Sequence, residues 1–247
     1  MIKRALLLTS VVLLGTSLPA SATTILGVLN TTGTASISIG SIAFLNNIMM
    51  VNGPGTAQQG GFVALAGTTA TIMNITNPPN VTDPGSFPPE SNFITFSGAP
   101  NISFTFTHLL AGIDGAAGCA GSPPAVSQVC TPNTPNQSPF NLQNTSATSS
   151  TASFAIRGFE LDSTTGMTAP FVGTFTTPFS TQNFQQVLGV VQGGGTVVTS
   201  FSAQFTVTAA PVPEPGTFLM LGFSLVGLGL SRPGRGVKAL LTKSRLG

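Results

Sequence analysis

The stretch NISFTFTHL, residues 101–109, alternates apolar and hydroxyl side chains: Ile102, Phe104 and Phe106 fall on one face, Ser103, Thr105 and Thr107 on the other. A period of 2 belongs to an extended chain, because successive Cβ atoms of a strand point to opposite sides. TVVTSFSAQFTVT at 196–208 repeats the pattern, with Phe201, Ala203, Phe205 and Val207 in phase. SFAIRGFEL at 153–161 begins likewise with Phe154 and Ile156. Gly158 then precedes Phe159 and Leu161, which predicts a bulge that flips the later side chains to the opposite face.

Further strands are expected at 35–43, 61–66, 69–76, 92–97 and 171–177. Turn-forming runs separate them, such as NGPG at 52–55, NPPNVTDPG at 77–85 and GGG at 193–195. TQNFQQVLGVV at 181–191 suits either a strand or one helical turn, and residues 122–150, rich in Pro, Asn, Ser and Thr, read as a long surface loop. Thr and Phe favour a pleated surface, while the helix formers Lys and Glu are nearly absent. The expected fold is therefore all-β, a single antiparallel β-sandwich-like domain over residues 23–210. Eighteen Phe and no Trp or Tyr supply its aromatic burial, and a Phe ring needs no hydrogen-bond partner inside a core.

Between residues 23 and 211 one base, Arg157, stands against Asp83, Glu90, Asp114, Glu160 and Asp162, a net charge of −4. That balance offers no basic stripe to neutralise phosphates, which excludes nucleic acid as a partner class. Cys119 and Cys130 are the two cysteines of the chain. In an oxidising compartment they read as a disulfide across a Pro- and Gly-rich loop.

Catalysis needs positioned acids, bases or metals, and this chain has few residues to supply them. The lone His108 falls at the end of a strand and reads as a strand-edge imidazole bonded to backbone or water. Glu160 and Asp162, two apart on an extended strand, put both carboxylates on one side. They are the candidates for a hard cation such as calcium, although no D-x-D-x-D loop accompanies them and no metal site is assigned. No cofactor is expected, and the chain reads as a non-enzyme. The alternative is an extracellular hydrolase on the same scaffold, built on Glu160, Asp162 and His108. Six N-x-[ST] triplets begin at Asn30, Asn74, Asn80, Asn101, Asn136 and Asn144. They are read as polar surface.

Both termini carry targeting chemistry. Lys3 and Arg4 precede an uncharged stretch at 5–14, and Ala20-Ser21-Ala22 closes the segment. This is the three-part pattern of a secretory signal peptide over residues 1–22, cut between Ala22 and Thr23. Near the other end stands PVPEPGTFLMLGFSLVGLGLSRPGR, residues 211–235. Its uncharged run of fourteen residues, 217–230, would extend about 21 Å as a helix, short of the roughly 30 Å hydrocarbon core. Such a helix can still insert if Arg232 and Arg235 snorkel to the interface as a basic stop. The basic excess places the tail, residues 236–247, in the cytoplasm and the β-rich region outside. Just before the apolar run, Pro213 and Pro215 fix φ and remove two backbone donors, so the segment is stiff and extended.

Val212-Pro213-Glu214-Pro215, the apolar run and the basic pair Arg232 and Arg235 together resemble the PEP-CTERM sorting signal of Gram-negative bacteria. The resemblance implies a substrate of exosortase, a membrane transpeptidase-like cysteine enzyme, with recognition and processing at Val212, Pro213, Glu214 and Pro215. It further implies a precursor held in the inner membrane by its C-terminal helix, then a cell-surface or extracellular-matrix protein associated with exopolysaccharide and biofilm. Extracellular polysaccharide is the partner implied after sorting. A permanently anchored surface protein, with VPEP as a plain linker, is the remaining alternative.

Overall fold

Phe104 and Phe106 point into a closed ring of strands in the computed structural model, which describes residues 25–209 apart from 39, 54–57, 77–88 and 135. In chain order the elements are β1 (Gly27–Ile37), β2 (Ser41–Val51), β3 (Thr69–Ile72), β4 (Ile75–Thr76), β5 (Glu90–Phe96), β6 (Ala99–Leu109), β7 (Val129–Cys130), β8 (Asn133–Thr134), β9 (Asn136–Gln137), β10 (Asn141–Asn144), β11 (Ser150–Asp162), β12 (Met167–Phe179), α1 (Phe184–Gln192) and β13 (Val197–Val207). The signal peptide with its Ala22–Thr23 cleavage point, the sorting motif Val212 to Pro215, and the basic stop at Arg232 and Arg235 lie outside the described residues. Among the described residues, no helix is long and apolar enough to cross a membrane.

The sheet closes on itself instead of splitting into the two layers of the expected sandwich. β1, β2, β3, β5, β6, β11, β12 and β13 pair antiparallel in that order, and β13 pairs β1 again to complete an eight-stranded barrel. Closure depends on β13, which runs beside β1 from Val197 to Val207 while its other edge takes β12. Each of the eight strands therefore has a partner on both sides, and closure takes the place of a second layer. The first four residues of β11, Ser150 to Ser153, also pair β10, which pairs β7 in turn, so a short branch leaves the barrel there.

An eight-stranded barrel has an interior just wide enough to be filled by side chains. Of the fifteen phenylalanines among the described residues thirteen are buried, including Phe44, Phe96, Phe104, Phe106, Phe171, Phe175, Phe201 and Phe205. Phe104 has the rings of Phe62, Phe96, Phe171 and Phe205 within 6.0 Å, centroid to centroid. Room for these rings comes from glycines directly opposite them: Gly33 faces Phe201, Gly158 faces Phe171 and Gly173 faces Phe205. A Cβ at Gly158 would lie 2.7 Å from the Phe171 ring and 1.9 Å from the Thr105 carbonyl oxygen, closer than any real contact.

Gly158 is thus a space-maker, and the predicted phase flip at this residue does not occur. β11 pairs β12 in unbroken register from Ser150 to Asp162. The irregularity sits on the other ladder, in β6, where Thr107 is the extra residue between Phe106 and His108. Thirteen consecutive cross-strand pairs hold the phase of β11. As a result Phe159 is exposed, Leu161 is half-buried, and Glu160 and Asp162 point inward.

Several sequence-level boundaries shift for local reasons. The strand expected at 35–43 is two strands, because the chain turns at Ser38–Ser41, where the Ser38 amide donates to the Ser41 carbonyl at 2.9 Å. The strand expected at 61–66 is instead a 3-10 helix, Gly60–Leu65, with Phe62 and Leu65 buried. The span 69–76 divides into β3 and β4 around Met73 and Asn74. Residues 181–191 take the helical option as α1, started by a reciprocal capping box between Asn183 and Gln186. The loop at 122–150 is not all surface: Cys130 and Leu142 are buried in a second, smaller apolar cluster with Phe179, Phe184, Val187 and Val197.

Candidate functional site

The inward phase of β11 brings two carboxyls to the end of the barrel where β11 turns into β12. Asp162 closes that turn. Its Oδ1 accepts from the Thr164 amide and from Asn101 Nδ2, both at 2.9 Å, and its Oδ2 accepts from Thr165 Oγ1 at 3.3 Å. The Gly166 amide donates to the Asp162 carbonyl at 2.8 Å, and Gly166, at φ +70, takes the left-handed conformation that ends the turn. These donors, the Asn101 amide first and the Thr164 backbone second, hold the Asp162 carboxyl below the ordinary range, so it is ionised.

Glu160 is the opposite case. Its side chain has no solvent exposure, and neither carboxyl oxygen has a hydrogen-bond partner. Its cross-strand neighbours are Phe104 on β6 and Ala169 on β12. Burial first, and the Asp162 charge second, push its pKa from 4.5 to about 7. A carboxyl with that value is neutral in mild acid and begins to ionise at neutral pH.

The two carboxylates do share a side, as the spacing implied. Asp162 spends its oxygens on Asn101, Thr164 and Thr165, and among the described residues no group of three or more His, Cys, Asp or Glu comes together. His108 stands further along β6, opposite Arg157, with its Nδ1 2.9 Å from Thr107 Oγ1. It is not joined to Glu160 or Asp162 by any hydrogen bond that the structure shows.

Cys119 and Cys130 are bridged, with Cα atoms 4.9 Å apart. Cys130 is fully buried. Of the N-x-[ST] triplets, Asn144 is buried and bonded to Gln128 and Gln185, and Asn101 is committed to Asp162. Asn74 accepts the Phe44 amide at 2.7 Å. These side chains hold the fold together, which differs from the reading of them as plain polar surface. Asn80 lies outside the described residues.

One surface feature escaped the sequence reading. β2 bulges outward between its pairings at Phe44 and Met49, and Asn46 and Asn47 take left-handed φ values of 56 and 55. The bulge overhangs β1 and β13 and encloses an open groove of about 570 Å³, lined by Thr32, Leu45, Ile48, Met50, Ser200 and Ser202 among others. Leu45, Ile48 and Met50 are about half exposed. The Asn-Asn pair, tolerant of positive φ, was the available signal.

A phase flip at Gly158 would turn Glu160 outward, whereas the unbroken register of β11 buries it. The signal was present: Phe154, Ile156, Gly158, Glu160 and Asp162 form one uninterrupted period-2 series.

Residues 211–232 match the family model of the PEP-CTERM protein-sorting motif. The motif implies export and exosortase-dependent sorting at a membrane, as in Gram-negative bacteria. No curated protein and no solved structure matches the chain.

Proposed function

We propose, from a chain that carries the PEP-CTERM protein-sorting motif at residues 211–232, that this is a non-enzymatic protein of the cell surface or extracellular matrix, associated with exopolysaccharide or biofilm. Its precursor is held in the inner membrane by the apolar run at 217–230 and stopped by Arg232 and Arg235. Exosortase then processes it at Val212, Pro213, Glu214 and Pro215. The motif match carries this reading. The disulfide suits an oxidising exterior, and the outward faces of the barrel strands present Ser, Thr and Gln, as at Ser202, Gln204 and Thr206 of β13.

Intact mass of the protein recovered from the cell exterior tests the processing step. The expected chain lacks the apolar run, and replacement of Pro213, Glu214 and Pro215 by alanine traps the protein in the membrane fraction. Recovery of surface protein extending through Gly247 would instead establish the permanently anchored alternative. The hydrolase alternative draws on the raised pKa of Glu160, a property of general acids. Turnover of polysaccharide or ester substrates that disappears in Glu160→Gln would favour it over the non-enzymatic reading.

A further inference from the structure

Glu160 occupies a position that the barrel packs as though it were apolar. It lies opposite Phe104, whose ring is 4.9 Å from Phe171 and 6.0 Å from Phe62. Neither carboxyl oxygen finds a donor there. A neutral carboxylic acid can be tolerated in such a place, whereas an ionised one must recruit water or be expelled.

We propose that Glu160 is a proton switch built into the barrel: neutral, it completes the phenylalanine core, and ionised, it opens the barrel end that Phe62 closes. The switch does not depend on how the chain is sorted.

The charged surroundings are simple. Asp162, two residues along β11, is ionised and held in place by Asn101 and Thr164. β12 and the Gly60–Leu65 helix carry no titratable residue. β6 carries only His108, four residues beyond Phe104 and opposite Arg157, and β5 carries the exposed Glu90. No cation faces Glu160 from these elements to stabilise its charge. Burial and the Asp162 charge accordingly raise its pKa to about 7.

Folding therefore takes up a proton in the window between 4.5 and about 7. Stability is full below the lower value and is lost as pH rises through the upper one. The opening is assigned to the Gly60–Leu65 helix because the other walls around Phe104 are strands paired by backbone hydrogen bonds, β6 with β5 on one side and with β11 on the other. This helix is tied to the barrel by bonds at its start, from the Gln59 amide to Val28 at 3.0 Å and from the Gly61 amide to Leu26 at 3.1 Å. It can lift without breaking a β-ladder.

The test uses the full chain in detergent. Carbon-13 NMR of the Glu160 side-chain carboxyl should show a midpoint near 7, and a midpoint in the ordinary carboxylate range would overturn the proposal. Thermal unfolding from pH 4 to 9 should show the folding constant falling on the order of 100-fold, or about 5–10 °C in Tm. Glu160→Gln should remove that fall, and parallel curves for the two proteins would count against the switch. Amide exchange at residues 59–66 should accelerate with pH in the wild type beyond the increase seen in Glu160→Gln. Acceleration confined to α1 would overturn the assignment of the opening to Phe62. The NMR midpoint needs no variant, so it decides even if Glu160→Gln fails to fold.

Discussion

The two ends of the barrel are closed by different chemistry. At one end, the Gly60–Leu65 helix lays Phe62 and Leu65 over the strands, and the seal is made of rings and aliphatic side chains. At the other, α1 buries Phe184 and Val187 in the second apolar cluster, and it joins the disulfide-bridged insertion through a network in which side-chain amides satisfy one another. Asn144 Oδ1 accepts the Phe184 amide at 2.9 Å, and Asn144 Nδ2 donates to Gln185 Oε1 at 3.0 Å. Gln185 Nε2 in turn donates to Gly121 and Gln128. Asn183 both caps α1 and donates to the Ala147 carbonyl. The amides of that network are partnered and carry no titratable proton. The end closed by Phe62 leaves the Glu160 carboxyl without a partner, and this couples that end of the barrel to the proton concentration.

The largest effect that separates the ends is Phe62→Ala. It removes a fully buried ring from the apolar seal and should cost about 3–5 kcal/mol in chemical unfolding, with faster amide exchange centred on residues 59–66. Next, replacing Cys119 and Cys130 together by alanine should cost about 2–3 kcal/mol, and exchange should rise around α1 and β10 while the Phe62 end stays protected. Third, Glu160→Gln should stabilise the protein by about 2 kcal/mol at pH 8 after allowance for solvent screening, and should leave it nearly unchanged at pH 4. Smallest is Asn183→Ala, which removes the helix cap and should cost about 1 kcal/mol to the same extent at pH 4 and pH 8. A pH-dependent loss in Asn183→Ala would break the contrast between the ends.

The two inward carboxyls add one more sharp expectation. Asp162, held low by its donors, contributes stability that is present above its ordinary range and disappears as pH falls through its lowered value. Glu160 acts in the other direction, losing stability as pH rises toward 7. Their combined contribution should peak in mild acid, and a calorimetric scan of Tm against pH measures where the peak lies.

Much of the fold was legible where the alternation was unbroken. β13 and the first part of β6 present the faces that their Phe and Thr residues imply. Legibility failed where one residue had two physical explanations. Gly158 fits a bulge or a space beneath a ring, and only the presence of Phe171 opposite it distinguishes them. GGFVAL fits a strand by composition, yet it folds as a 3-10 helix because Gly60, at φ +64, packs against the Leu26 carbonyl where a Cβ would lie 1.9 Å away. For the candidate site, the spacing of Glu160 and Asp162 fixed a shared side, but not that one would be fully bonded and the other bare.

The amino-acid order by itself determined that the body is built of strands, which residues of most strands share a face, and that residues 211–232 carry a sorting motif. These follow from local geometry, since a period of 2 and a proline-bracketed glutamate are read within a few residues. Tertiary structure alone decided that the sheet closes as a barrel and that Glu160 is buried between Phe104 and Ala169. Both depend on which distant edges meet, β13 with β1 and β6 with β11. Alternation assigns a face to each strand, but it carries no information about the strand next to it.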